Sequence, residues 1–221
     1  MVSLFDILGP VMIGPSSSHT AGACRLGRMA RAVLGHTPEH ARIELHGSFA
    51  ATGEGHGTQR AIVGGLVGLA PDDPRLRDAY AEAAAAGMTW EFAEVDLGAE
   101  AHPNTARFEL RHEGEVVTVR GASVGGGRVE VTELNGFPVS LTGDYHTLVL
   151  LAHDEPGTIH TVTGVLSANG VNLATMRVDR TGRHQDALMT IEADEPISDA
   201  ALDEIRARPW VKWARRIERT S

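Results

Sequence analysis

The last third of the chain constrains the fold most. Beyond residue 146 the apolar residues switch repeatedly between a period of two and a period of 3.6. The order predicted is strand 147–153, helix 157–169, strand 171–179, strand 186–193, helix 198–208 and strand 210–218. Ile159, Val162, Val165 and Leu166 form the stripe of the first helix, Gly170 stands where its last turn should close, and Thr181-Gly182 makes a hairpin turn. The order βαββαβ is ferredoxin-like. A shift in composition and pattern near Thr142-Gly143-Asp144 sets the domain boundary there, giving units 1–143 and 144–221.

The first unit mixes helices and strands. Leu26, Met29, Ala30, Val33 and Leu34 mark one face of a helix that ends at Gly35 and Pro38. Residues 42–50 (RIELHGSFA) read as a strand, and a glycine-rich loop, 52–57 (TGEGHG), feeds a helix over 58–69 with Thr58 as its cap. Pro71-Asp72-Asp73-Pro74 stops that helix and starts an alanine-rich one ending at Gly87. From Thr89 to Leu141 the signal turns to strands, TWEFAEV, TARFELRH, EVVTVRGASV and RVEVTEL, broken at His102-Pro103-Asn104, Glu113-Gly114, Gly125-Gly126-Gly127 and Asn135-Gly136. The fold class is therefore α+β in two units.

Composition narrows the function. A net charge of −9 with no long basic run argues against a nucleic-acid partner, since phosphate binding needs a concentrated basic face. The longest apolar run, 61–70, is too short for a bilayer, and the opening residues lack a basic signal-peptide start, so a cytoplasmic protein without membrane contact is expected. Cys24 is the single cysteine, so this chain forms no internal disulfide and its thiols alone build no zinc cage or iron–sulfur cluster.

Two segments carry candidate chemistry. Ser16, Ser17, Ser18, His19 and Thr20 put four hydroxyls and an imidazole before the first helix. A helix N-terminus offers unpaired N–H groups and the positive end of the dipole, worth about 0.3–1 kcal/mol toward an anion. Capping requires one hydroxyl. The surplus, with Gly14 allowing close backbone approach, suits a small carboxylate or phosphate, and His19 would titrate beside it near neutrality. The alternative is a cap followed by a solvated turn. His56, flanked by Gly55 and Gly57, projects from its loop either as a base within reach of a ligand or as an exposed turn histidine. The loop matches neither a dinucleotide fingerprint nor a Walker A sequence. The triple glycine 125–127 suits close approach of a ligand or a partner backbone.

Taken together, these motifs resemble the β chain of the bacterial iron–sulfur-dependent L-serine dehydratases. The resemblance rests on Ser3-Leu4-Phe5-Asp6, residues 9–20 (GPVMIGPSSSHT), His46-Gly47-Ser48, residues 52–58 (TGEGHGT), His102-Pro103-Asn104-Thr105 and Ser123-Val124-Gly125-Gly126-Gly127. It implies a lyase that removes water from L-serine to give pyruvate and ammonia without pyridoxal phosphate. It also implies a separate α chain whose cysteines hold a 4Fe-4S cluster, with no metal ligand here, in keeping with the lone Cys24. By resemblance His56 matches the base and His19 a second active-site histidine. Ser16, Ser17, Ser18 and Thr20 would hold the substrate carboxylate, with Thr52, Gly55 and Asn104 as further substrate contacts. The first unit also resembles the allosteric substrate-binding domain of phosphoglycerate dehydrogenases. That sets up a rival reading, a non-catalytic amino-acid-sensing subunit, against which the pair His19 and His56 speaks.

The second unit resembles an ACT domain, carried by Asp154-Glu155-Pro156-Gly157 and Asn169-Gly170-Val171-Asn172-Leu173. Such modules pair edge to edge and often bind amino acids where they pair, which places Asp154 and Asn172 near a ligand. The unit either binds one or serves homo-association alone.

Overall fold

The computed structural model describes residues 11–53 and 55–219. The motif residues Ser3 to Asp6, Gly9 and Pro10, and Glu54 of the glycine loop, lie outside the described residues. The chain divides into two compact units, Met1–Thr142 and Gly143–Ser221.

In the first unit a six-stranded sheet has the order β2-β1-β3-β4-β5-β6. Its strands are β1 (His40–Leu45), β2 (Thr89–Glu94), β3 (Thr105–His112), β4 (Glu115–Gly125), β5 (Arg128–Leu134) and β6 (Phe137–Leu141). β1 and β2 pair in parallel, and the helical segment between them forms the crossover that parallel pairing requires. β3 to β6 form an antiparallel meander. One face is apolar, with Ile43, Leu45, Phe108, Leu110, Val119 and Val131 buried. The other carries charged pairs along and across strands: Glu44 takes Arg42 on its own strand and Arg107 opposite it, and Arg120 meets Glu133.

The helix α1 (Ala23–Leu34) covers the apolar face. Leu26, Met29, Ala30, Val33 and Leu34 are each 1% exposed or less, at about 1.5–3 kcal/mol for each large side chain buried. Gly35, left-handed at φ 85°, closes it as the periodicity requires. Against α1 lies α3 (Thr58–Leu66), and the two touch backbone to backbone. A β-carbon on Gly27 would stand 2.4 Å from the Ile62 carbonyl oxygen, and one on Gly65 only 2.1 Å from that of Cys24.

Two local expectations need correction. The strand read over 42–50 ends at Leu45, and Ser48–Thr52 is a short helix, α2. Gly47 turns the chain at φ 56°, and the amides of Ser48 and Phe49 donate to the Pro103 carbonyl rather than to a strand neighbour. Period-two alternation continued across this break because Phe49 is buried for a helical reason. Thr58 is likewise not the cap of α3. Gly57 holds that position, and Thr58 is the first helical residue, its hydroxyl buried without a hydrogen-bond partner. The alanine-rich helix follows a 3₁₀ turn, Pro74–Asp78, and is α4 (Ala79–Ala85).

The second unit is a four-stranded antiparallel sheet of order β10-β7-β9-β8, with β7 (His146–His153), β8 (Leu173–Arg180), β9 (Asp186–Ala193) and β10 (Val211–Ile217). Helices α5 (Thr158–Ala168) and α6 (Asp199–Arg206) supply Val162, Leu166, Leu202 and Ile205 to one core with Leu148, Leu150, Met189 and Ile191. This is the βαββαβ arrangement read from the sequence. β8 is an edge strand and largely exposed.

Candidate active site

The serine run enters α1 through a π-helical turn, Ser17–Gly22. Single π turns inside helices recur at functional sites. Small residues permit this one: Ala21 and Ala23 are fully buried, and Gly22 lies against β4, where a β-carbon on it would stand 2.0 Å from the Ser123 hydroxyl. Ser16 caps the turn, its Oγ accepting the His19 amide at 3.1 Å. Thr20 is buried and its Oγ1 donates to the His56 carbonyl at 3.1 Å, tying the serine run to the glycine loop. Gly14, at φ 139°, packs on that same threonine, where a β-carbon would lie 2.5 Å from its methyl. Ser17 and Ser18 are half-buried in the turn.

The two histidines meet, with ring centroids 5.0 Å apart. α2 presents Ser48 and Thr52 one turn apart, and both hydroxyls reach His19 Nε2, at 3.1 and 3.2 Å. Thr52 Oγ1 donates its one hydrogen to the Ser48 carbonyl at 2.9 Å, so its contact with His19 is satisfied when Nε2 carries the hydrogen. The edge of Phe49 packs against the His19 ring at 5.3 Å. Burial first, then the neighbouring His56, holds the His19 imidazole below its ordinary value, opposed by a backbone hydrogen bond at Ser48. Burial and His56 thus favour the uncharged form of the His19 ring, which Ser48 and Thr52 hold in place.

His56 is held differently. Its Nδ1 lies 3.1 Å from the Thr52 carbonyl, which only accepts, so the neutral ring carries its hydrogen on Nδ1 and keeps the Nε2 lone pair. The ring is exposed and lines a cavity of about 460 Å³ together with Gly14, Thr20, Gly55, Arg60 and Arg77. A base needs that combination: one nitrogen fixed by the backbone, the other free.

Asn104 sits one layer away. Its carbonyl accepts from the Ser123 amide at 3.0 Å and its side-chain amide donates to the Ser123 carbonyl at 3.4 Å, beneath Gly22 of the π turn. The structure brings together Ser16, His19, Thr20, Thr52, Gly55 and His56, with Asn104 as a support reached through Ser123. Ser48 and Arg60 were missed. Reading 48–52 as a helix would have exposed Ser48 and Thr52 as an i, i+4 hydroxyl pair.

Asp154 and Asn172 do not converge within one chain. Asp154 accepts from Arg180 and from the His184 amide, the latter the chief cause of its lowered carboxyl pKa. Asn172 bonds Glu195 and Asp194. The length of β9 separates these two clusters, roughly 25 Å at 3.3 Å per residue.

Among the described residues no three His, Cys, Asp or Glu side chains converge as a metal site, and no helix is long and apolar enough to cross a membrane. Cys24 is fully buried, donates to the Leu69 carbonyl, and burial pushes its thiol up to about 12. These residues do not fit a 4Fe-4S cluster.

Residues 3–93 match the family model of the serine dehydratase beta chain, and residues 146–209 that of the ACT domain. The chain is 46% identical to a probable L-serine dehydratase beta chain of Bacillus subtilis over 94% of both proteins. It is 35% identical to the L-serine dehydratase beta chain of Peptoniphilus asaccharolyticus over 90% of both. A more distant relative, the D-3-phosphoglycerate dehydrogenase of Synechocystis, is 26% identical over 81% of this chain and 32% of that protein. The chain, 46% identical to one such protein over 94% of both and carrying an ACT domain over residues 146–209, belongs to the serine dehydratase beta-chain family.

Proposed function

We propose that this chain is the β subunit of an L-serine dehydratase, a cytoplasmic enzyme that converts L-serine to pyruvate and ammonia together with a separate α chain. The observation that carries this reading is the division of labour between the two histidines. His56 Nε2 takes the α-proton of serine while Nδ1–H stays on the Thr52 carbonyl. As the Cα–H bond breaks, its electron pair forms the Cα–Cβ double bond and the Cβ–O bond breaks; the departing hydroxide takes the proton back from the His56 imidazolium and leaves as water. The resulting enamine tautomerises to an imine, and hydrolysis releases ammonia and pyruvate. His19, kept neutral by burial and oriented by Ser48 and Thr52, supports the imidazolium that forms on His56 by not competing for charge.

The 4Fe-4S cluster that the family resemblance implies would sit on the α chain, because the residues here do not fit it, and no step is assigned through it. Pyridoxal phosphate, which attaches to its enzymes through a lysine, finds a poor host: the one lysine, Lys212, lies in the ACT domain and is paired with Asp186. The open edge of β8 supports homo-association by strand pairing with a second copy.

The test is His56→Ala, reconstituted anaerobically with the α chain. Pyruvate formation is expected to fall by roughly two to four orders of magnitude, the usual worth of a general base. Co-elution with the α chain should persist. Near-normal turnover overturns the assignment, and a subunit that only senses serine would show it.

A further inference from the structure

We propose that Arg60 and Arg77 form the carboxylate-binding wall of the His56 cavity; the proposal deepens the serine dehydratase reading and rests on it. Of the four hydroxyls expected to hold the carboxylate, only that of Thr20 lines this cavity, and its Oγ1 gives its hydrogen to the His56 carbonyl. A carboxylate entering this cavity therefore needs other donors.

Two arginines stand ready. Arg60 lies in the first turn of α3, four residues after His56, and Arg77 in the 3₁₀ turn, and both line the cavity that His56 lines. Among the described residues neither guanidinium forms an ion pair. Arg75, two residues from Arg77, shows the contrast: it grips Asp73 through two nitrogens and reaches Glu82. No described residue of the cavity lining is acidic, although the chain carries 29 acidic residues and a net charge of −9. Arg60 also runs against the dipole preference, which favours acidic residues in a first turn, and α3 has none there. Its charge and the uncapped helix N-terminus add in the same direction, concentrating positive potential in one mouth of an acidic protein. The planar guanidinium fork matches the two oxygens of a carboxylate. The ligand class is an α-amino acid or another small carboxylate, held on the wall that carries the base.

Arg60→Gln and Arg77→Gln, each in the anaerobically reconstituted complex, should raise KM for L-serine roughly ten- to hundredfold, the range for losing a charged hydrogen bond. kcat should fall far less, and Arg60→Lys should recover part of the loss. A parallel titration of the full chain with acetate, followed through the His56 ring proton resonances, should saturate in the wild type and fail in the Arg60→Gln/Arg77→Gln double variant. Unchanged KM in both single variants, or an acetate response that survives the double variant, overturns the proposal. So does loss of co-elution with the α chain, which would make this wall a protein-docking face. A wild-type complex that forms no pyruvate defeats the functional reading alone, and the acetate titration still decides the arginines.

Discussion

Replacing Gly65 by alanine tests the contact on which the site is built. In an exposed helix interior the change stabilises, by about 0.5–1 kcal/mol, because alanine loses less backbone freedom on folding. At Gly65 the new β-carbon lands 2.1 Å from the Cys24 carbonyl oxygen and 2.9 Å from the Arg28 amide nitrogen. Both obstacles are backbone, so no rotamer change relieves them. Reaching even 3.0 Å requires α1 and α3 to part by about 0.9 Å, a gap that already forfeits between a quarter and a half of the dispersion well of each contact it opens. Overpacking of this kind costs about 3 kcal/mol. Set against the propensity gain, the net destabilisation is about 2 kcal/mol, or roughly 8 °C in Tm for a unit of this size. Calorimetry of the full chain reads it directly. Gly164→Ala is the control: Gly164 lies inside α5 with nothing within 4 Å of its added β-carbon, so the same chemical change should stabilise. A Gly65→Ala protein that melts at or above the wild-type temperature refutes the reasoning. Because α3 carries the glycine loop at its start, the variant should also lose activity out of proportion to its folded fraction.

Two further outcomes follow from burial. The His19 imidazole titrates below its ordinary 6.5 in the folded chain, so the unfolded chain binds more protons as pH falls past that value. The stability this group confers is complete above 6.5 and is lost as pH drops through the folded value; urea titrations from pH 7.5 to 5 should show a steeper decline in the wild type than in His19→Gln, and equal slopes would contradict the assignment. Cys24, with its thiol near 12 and no exposed surface, should resist iodoacetamide at pH 7.5 in the native chain and react once urea unfolds it; complete alkylation of the folded protein within minutes would count against that burial.

Much of the fold was legible because periodicity reports burial on one element at a time. The stripe from Leu26 to Leu34 is the buried face of α1, and the βαββαβ order of the second unit stands as read. The failures have different causes. At Thr58 the error was local, the left-handed Gly57 just before it taking the capping position; at 42–50 the outcome depended on a partner distant in sequence, the Pro103 carbonyl accepting from α2. A local pattern carries no trace of such a partner. For the same reason the serine run could be read as cap or as anion site, since hydroxyl count says nothing about where each hydrogen goes.

By itself the sequence determined the α+β class, the two units, the helix and strand faces, the lone cysteine, and the histidines worth watching. Those follow from short-range sterics and from the partition of apolar side chains, both written into neighbouring residues. Only the tertiary structure decided that His19 and His56 face each other, that Ser48 and Thr52 hold one while the Thr52 carbonyl fixes the other, and that Arg60 and Arg77 share the cavity with the free Nε2. Hydrogen-bond direction and charge neighbourhood are properties of atoms brought together from opposite ends of a fold, and they exist only once helices as close as α1 and α3 have packed.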